Sequence, residues 1–144
     1  MDQPVPLFCG TPDFHFGATH SIPRLTNGAF LLCLQHVFEH ATARPLHIQR
    51  FGKPFGPVYD CAATRLAALA GTPLHQIYMV GDNPHSDIKG ALLAGAPWYP
   101  ILVRTGCFQG KDNDEEHPAM HVCHSVLDAL HHVLEREAQR ASSQ

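Results

Sequence analysis

Apolar residues fall in two alternating patterns along this chain, short unbroken runs and three-and-four spacing, with Gly and Pro at the joins. The runs predict strands at residues 4–9, 46–51, 77–80, 99–104 and 120–123. Between them the spacing predicts helices. The first covers residues 28–40, capped by Asn27, with Phe30, Leu31, Leu34, Val37, Phe38 and Ala41 toward the sheet. The second covers 58–70, with Ala62, Leu66 and Leu69 as its buried stripe; Gly71 and Pro73 end it. A third covers 86–94 and closes on Gly95. The last opens on Ser125 and Asp128, which have capping-box spacing. It runs to about residue 138, with Val126, Leu127, Leu130, Val133 and Leu134 on one face. Residues 10–23 read as loop. Strand and helix alternate throughout, so the expected class is α/β with parallel βαβ units. One domain over residues 1–140 and a disordered tail at 141–144 complete the outline.

Composition narrows this picture. With 144 residues, 44% hydrophobic and 16% charged, the chain is long and apolar enough for one core. A net charge of -3 gives no attraction to nucleic acid or an anionic membrane. No apolar run approaches the roughly 20 residues that span a bilayer. The first residues lack the basic start of a secretion signal. The five cysteines are odd in number and form no C-x-x-C pair, which predicts reduced, mostly buried thiols in an intracellular protein. Twelve histidines are many, but the group His117, His121, Cys123 and His124 matches no zinc spacing. The charged loop at residues 106–118 reads as solvated and mobile, not as a metal site.

Candidate chemistry concentrates at residues 78–91, Y-M-V-G-D-N-P-H-S-D-I-K-G-A. The strand ends in Gly81-Asp82, Asn83-Pro84 turns, and Asp87 follows at the start of a helix. Two carboxylates thus sit at the C-terminal end of a buried strand, where open α/β sheets bind ligands. Mg²⁺ takes oxygen ligands, often one or two carboxylates plus substrate phosphate. Equally, Asp82 suits a turn and Asp87 a helix first turn on structural grounds alone. Lys53, between Gly52 and Pro54 at another strand end, can reach an anion or simply be an exposed loop lysine. No G-x-G-x-x-G loop supports a nucleotide site.

In order, Gly52-Lys53-Pro54, Gly81-Asp82-Asn83-Pro84-His85-Ser86-Asp87-Ile88 and Ile101-Leu102-Val103-Arg104-Thr105-Gly106 resemble class IIA of the haloacid dehalogenase-like (HAD) hydrolase superfamily. Pro23-Arg24-Leu25, Gly28-Ala29-Phe30 and His117-Pro118-Ala119 extend the resemblance over nearly the whole chain. It implies a Rossmann-like core and a Mg²⁺-dependent phosphatase-type hydrolase acting on a small phosphorylated substrate. In that family an aspartate attacks phosphorus and a second aspartate two residues on is the acid and base. By position, Lys53 is the catalytic lysine of the third motif and, with Asn83, the phosphate contact; Asp82 and Asp87 hold the metal. Relatives of this type imply a mitochondrial setting.

The sequence departs from the family in one respect that matters. The first motif, D-x-D-G-[TV] after an apolar strand, is absent. Asp13-Phe14-His15 lacks the second acid and the glycine, and Asp112-x-Asp114 has no strand before it. The second-motif strand and the substrate-selecting cap are missing as well. The expectation is therefore the C-terminal half of a hydrolase core, a partial Rossmann-like sheet lacking the first-motif strand. Alone it would be inactive, and residues 77–80 would form an exposed edge prone to self-association or to a covering protein partner. The alternative is a non-catalytic remnant that serves as a protein-binding module.

Overall fold

The computed structural model describes residues 3–17, 19, 22 and 24–143. Pro23, which belongs to one of the motifs above, and Gln144 of the expected tail lie outside the described residues. Strand β6 (Trp98–Val103) is the centre of the better-packed half. It pairs in parallel with β5 (Ile77–Gly81) on one side and β7 (His121–Cys123) on the other. Its unbroken apolar run, Tyr-Pro-Ile-Leu-Val, follows from cover on both faces. Tyr99, Ile101 and Val103 point one way, with Cys123 and Ala129. Leu102 points the other way, onto Ile88 and Ala119. Ile88, Pro100, Ile101 and Leu102 are fully enclosed.

The second sheet is small. Strands β1 (Leu7–Cys9) and β4 (Ile48–Arg50) pair in parallel, and α1 (Asn27–Thr42) connects them. Helix α2 (Gly56–Ala70) then leads to β5. Among the described residues no backbone ladder joins the β1–β4 pair to β5, so β5 stands at an edge, as expected. The α/β class and the parallel pairing stand as read from the sequence.

Several local expectations are corrected. A short antiparallel pair joins β2 (His15–Phe16), inside the stretch read as loop, to β3 (Arg24–Leu25), just after it. Two-residue strands carry too little periodicity to register. Thr26, not Asn27, caps α1: its Oγ1 accepts from the Asn27 N–H at 2.5 Å, while the Asn27 side chain donates to Thr11. The segment after β5 begins as a π-turn, Pro84–Ile88, before α3 (Lys89–Ala94). Helix α4 (Val126–Ser142) extends four residues past its expected end and takes in Ala141 and Ser142 of the expected tail.

The expected helix stripes are corrected too. In α1 only Gly28 and Ala29 are buried, and Phe30 and Val37 are 65% and 64% exposed. In α2 the buried residue is Tyr59, not Leu66 or Leu69. In α4, Val126, Leu127, Leu130 and Leu134 are exposed; of the expected stripe Val133 packs on the core, beside the buried Ala129. The apolar spacing is helical in each case, but the sheet these faces would cover is narrow. The five cysteines are free; Cys9 and Cys123 are buried, whereas Cys33, Cys61 and Cys107 are exposed.

Candidate active site

Gly81 ends β5 because nothing larger fits there: a Cβ would lie 2.3 Å from Asp87 Cβ. The chain turns under the strand end, and the π-turn carries Asp87 back beneath it. Asn83 starts that turn, its Oδ1 accepting from the His85 N–H at 3.0 Å. Insertions of this kind are frequent at functional sites. The Asp87 carboxylate then accepts from the backbone N–H groups of Asp82 and Asn83, each at 3.1 Å, through Oδ2. Its Oδ1 takes a charge-assisted bond from Lys53 Nζ.

Tyr59 of α2 supports the turn from behind. Its hydroxyl donates to the Ser86 and Asp87 carbonyls at 3.2 and 3.1 Å, and its ring meets Trp98 edge-on. Gly90 lets the ring in, since a Cβ there would sit 2.2 Å from the hydroxyl. Burial, then the charges of Asp87 and Asp13, push the phenol well above its ordinary value, so it remains a donor. Sequence reading missed Tyr59; its only sign was one aromatic residue among the alanines of α2.

Burial works against the charge of Lys53, but the hydrogen bond and charge of Asp87, with Asp13 and Asp82, outweigh it and hold the ammonium above its ordinary value. Asp82 is turned the other way. Its Oδ2 accepts from the Cys107 N–H at 2.6 Å, and its carbonyl accepts from the Phe108 N–H at 3.0 Å. Burial raises the Cys107 thiol, the Gly17 backbone lowers it, and Asp82 raises it further, leaving it a poor nucleophile.

The expected residues meet in part: Lys53 pairs with Asp87 and shares a cleft with Asn83, but Asp82 and Asp87 are not among the residues lining that cleft or the hollow beside it. Lys53, Asn83 and Ser86 line one cleft of about 410 Å³ with Asp13, His15, Arg50 and His85. A neighbouring hollow of about 540 Å³ shares His15, Asn83 and His85 and continues to Cys107 and Asp114. Arg50, whose Nη2 donates to Gln35 at 2.9 Å, adds a second cation to the Lys53 wall. Arg50 lies three residues before Lys53 in the sequence, and that spacing was its one visible sign. Asp13, the weak nucleophile candidate, lines the same cleft, and its charge helps hold the Lys53 ammonium. Asp112 is not among the residues lining either cleft. A larger apolar hollow of about 600 Å³, between residues 3–7, Leu34, Phe38 and Leu46, shares no residue with this site.

The donor set fits a hard cation unevenly. Asp82 offers a carboxylate at the strand end. Both oxygens of Asp87 are already occupied by Lys53 and two amides, so Asp87 suits a positioning or water-mediated role. Asn83 spends its Oδ1 on the turn, which leaves its amide N–H₂ as the possible phosphate donor.

A family model described as HAD-hydrolase-like matches residues 50–129, from Arg50 through Lys53, Asp82 and Asp87 to Ala129. The chain belongs to the HAD-like hydrolases. It is 38% identical over 140 residues to a cardiolipin synthase (CMP-forming)/mitochondrial hydrolase fusion protein of Schizosaccharomyces pombe, covering 94% of this chain and 23% of that protein. A mitochondrial hydrolase of Saccharomyces cerevisiae is 29% identical, with 93% and 44% covered. Among solved structures, a 4-nitrophenylphosphatase of Thermotoga maritima is 27% identical with a TM-score of 0.57, covering 79% of this chain and 40% of that one. The chain therefore spans less than half the length of each of these relatives. No helix among the described residues is long and apolar enough to cross a membrane.

Proposed function

We propose that this HAD-like chain supplies the phosphate- and metal-binding half of a Mg²⁺-dependent phosphatase-type site, and that alone it does not turn over phosphomonoesters. The observation behind this reading is the Lys53–Asp87 pair, anchored under β5 beside Asp82. Asp87 fixes the lysine and keeps it charged, aimed along the cleft wall that also carries Arg50. Lys53 then holds a phosphoryl oxygen, where a fixed cation counts most as charge develops. Asn83 donates to a second oxygen. Asp82 holds Mg²⁺ with Asp87 in support; bound, the ion neutralises phosphoryl charge. The attacking carboxylate, with its second acid, has no counterpart in the 144 residues. The names of the two yeast relatives favour a mitochondrial setting.

Two measurements on the chain test this. Mg²⁺ should shift the backbone amide signals of residues 81–87, and Asp82→Asn should abolish the shift. No shift in the wild type sinks the metal assignment. Hydrolysis of p-nitrophenyl phosphate should stay at the blank rate; Mg²⁺-dependent turnover lost in Asp82→Asn would overturn the claim of inactivity.

A second reading, a protein-binding module, draws on one observation, that among the described residues β5 has a strand neighbour on one side only. An uncovered edge invites pairing with another copy of the chain. Sedimentation at rising concentration should show association; a monomer throughout sinks this reading.

A further inference from the structure

We propose that His85, Glu116 and His117 form a second cation site, for a borderline transition ion such as Zn²⁺ rather than Mg²⁺, on the rim of the cleft. One ligand atom from each lies within 4.8 Å of the others. His85 Nδ1 is 3.9 Å from Glu116 Oε2, and His117 Nε2 is 3.5 Å from Glu116 Oε1. The two imidazole rings stand 5.4 Å apart and nearly perpendicular, at 83°.

The backbone on both sides is held in place. His85 sits on the π-turn that Asn83 caps. The opposite wall is an exposed loop, solvated as its charges suggest, but crossed by hydrogen bonds. Asn113 bridges it, donating to the Ala119 carbonyl at 2.7 Å and accepting from the Ala119 N–H at 2.9 Å. Asp114 accepts from the His117 N–H at 2.7 Å. Arg104 donates to the Gly110 carbonyl at 2.9 Å and to that of Lys111. This framework buries most of His117. Its Nε2 is sealed from solvent and makes no hydrogen bond among the described residues. A buried nitrogen with no hydrogen bond, 3.5 Å from the Glu116 carboxylate, is under-satisfied, and a cation between the two would resolve it.

Ligand chemistry selects the ion. Two imidazoles and one carboxylate suit Zn²⁺, whereas Mg²⁺ prefers oxygen alone. Tetrahedral Zn²⁺ bonds of about 2.0–2.1 Å need the three atoms drawn to roughly 3.3 Å apart. His85 and Glu116 are exposed and have room to swing inward onto a fixed His117. Three protein ligands leave a fourth position open. It would face the hollow that His85 shares with Asn83, Cys107 and Asp114. An ion here would tie the turn that bears Asn83 and Asp87 to the loop that bears Glu116.

The test is a Zn²⁺ titration of the 144-residue chain in excess Mg²⁺, read by the imidazole nitrogen signals of each histidine. Residue-specific signals matter because exposed thiols and other histidines also bind zinc. The His85 and His117 signals should move together and saturate at one equivalent. His85→Gln, Glu116→Gln and His117→Gln should each weaken that binding at least about tenfold, since even outer partners of a metal ligand cost about 10–100-fold. If His117→Gln fails to fold, the two exposed variants carry the test. Zinc that moves other residues while His85 and His117 stay still, or equal affinity in His85→Gln and Glu116→Gln, overturns the site.

Discussion

The half of the molecule built on β5, β6 and β7 and the half built on β1 and β4 use similar residues to different effect. In the first, Ile101, Leu102 and Val103 are enclosed because α4 covers one face of β6 and the Ile88 segment the other. In the second, α1 leaves Phe30, Leu32 and Val37 in solvent, as α4 leaves Leu127 and Leu130 in the first, but of the β1 and β4 strand residues only Cys9 is buried. The physical lesson is that periodicity specifies a helix and one apolar face, but burial requires a partner surface. A two-stranded sheet offers little, and amphipathic helices depend on packing for their stability. The candidate site lies where the halves meet, with Lys53 from one side and Asp82 and Asp87 from the other.

The largest expected effect measures that contrast directly. Leu102→Ala removes a fully buried side chain from β6 and should cost about 2–5 kcal/mol in urea unfolding. Phe30→Ala truncates a larger but exposed side chain and should change stability by less than about 0.5 kcal/mol. Comparable losses would show that α1 is covered in solution by something, such as a second copy of the chain.

Next is the bridge between the halves. Lys53→Met leaves the nearly buried carboxylate of Asp87 without its cation. Breaking a fully buried pair costs about 3–5 kcal/mol. Lys53 is 39% exposed, so solvent screening should reduce the loss to about 1–2 kcal/mol. Because the lysine is held above 10.5 when folded, its contribution is whole below that pH and fades as pH rises through the higher folded value. The stability gap between wild type and Lys53→Met should therefore be equal at neutral and mildly alkaline pH and close only in strong alkali. A gap that closes near neutrality would break the assignment.

Tyr59→Phe sharpens the comparison from within the site. It deletes one hydroxyl shared by two carbonyls and should cost about 1 kcal/mol. The π-turn should loosen, so amide exchange at Asp87 and Ile88 should rise while that of β6 stays slow. Uniform acceleration across both would mean that Tyr59 supports the whole half and not the turn.

How much of this was legible in the sequence depends on how local its cause is. Gly71, Gly95 and the Ser125–Asp128 box were readable because a helix end is written within a few residues. Lys53, Asp82 and Asp87 were readable because strand ends are marked by Gly and Pro, and the structure brings Lys53 and Asp87 together. Tyr59, Arg50 and the partnership of His85 with His117 were not. Each depends on which element packs against which; Tyr59 lies 27 residues from Ser86, and His85 lies further still from His117, so no periodic trace is left. The exposed stripes of α1 and α4 failed for the converse reason. Spacing was read correctly, but the extent of the sheet beneath is a property of the whole chain.

The smallest effect concerns the α4 cap, an exposed part of the packed half. Ser125 and Asp128 exchange hydrogen bonds there, with the Ser125 N–H donating to Asp128 Oδ2 at 2.9 Å. Hydrogen bonding from the Ser125 side chain, then from its backbone, holds the Asp128 carboxyl below its ordinary 3.8. Its stabilisation is thus present above that pH and is lost as pH falls through the lower folded value. The Ser125 amide signal should titrate with Asp128, followed by fraying of the first turn of α4. Asp128→Asn should remove that step while the β6 amides stay unchanged, because Ala129 and Val133, not the cap, hold α4 to the sheet. If the β6 signals followed the Ser125 titration instead, the cap would be coupled to the core. The packed half would then draw part of its stability from its exposed end.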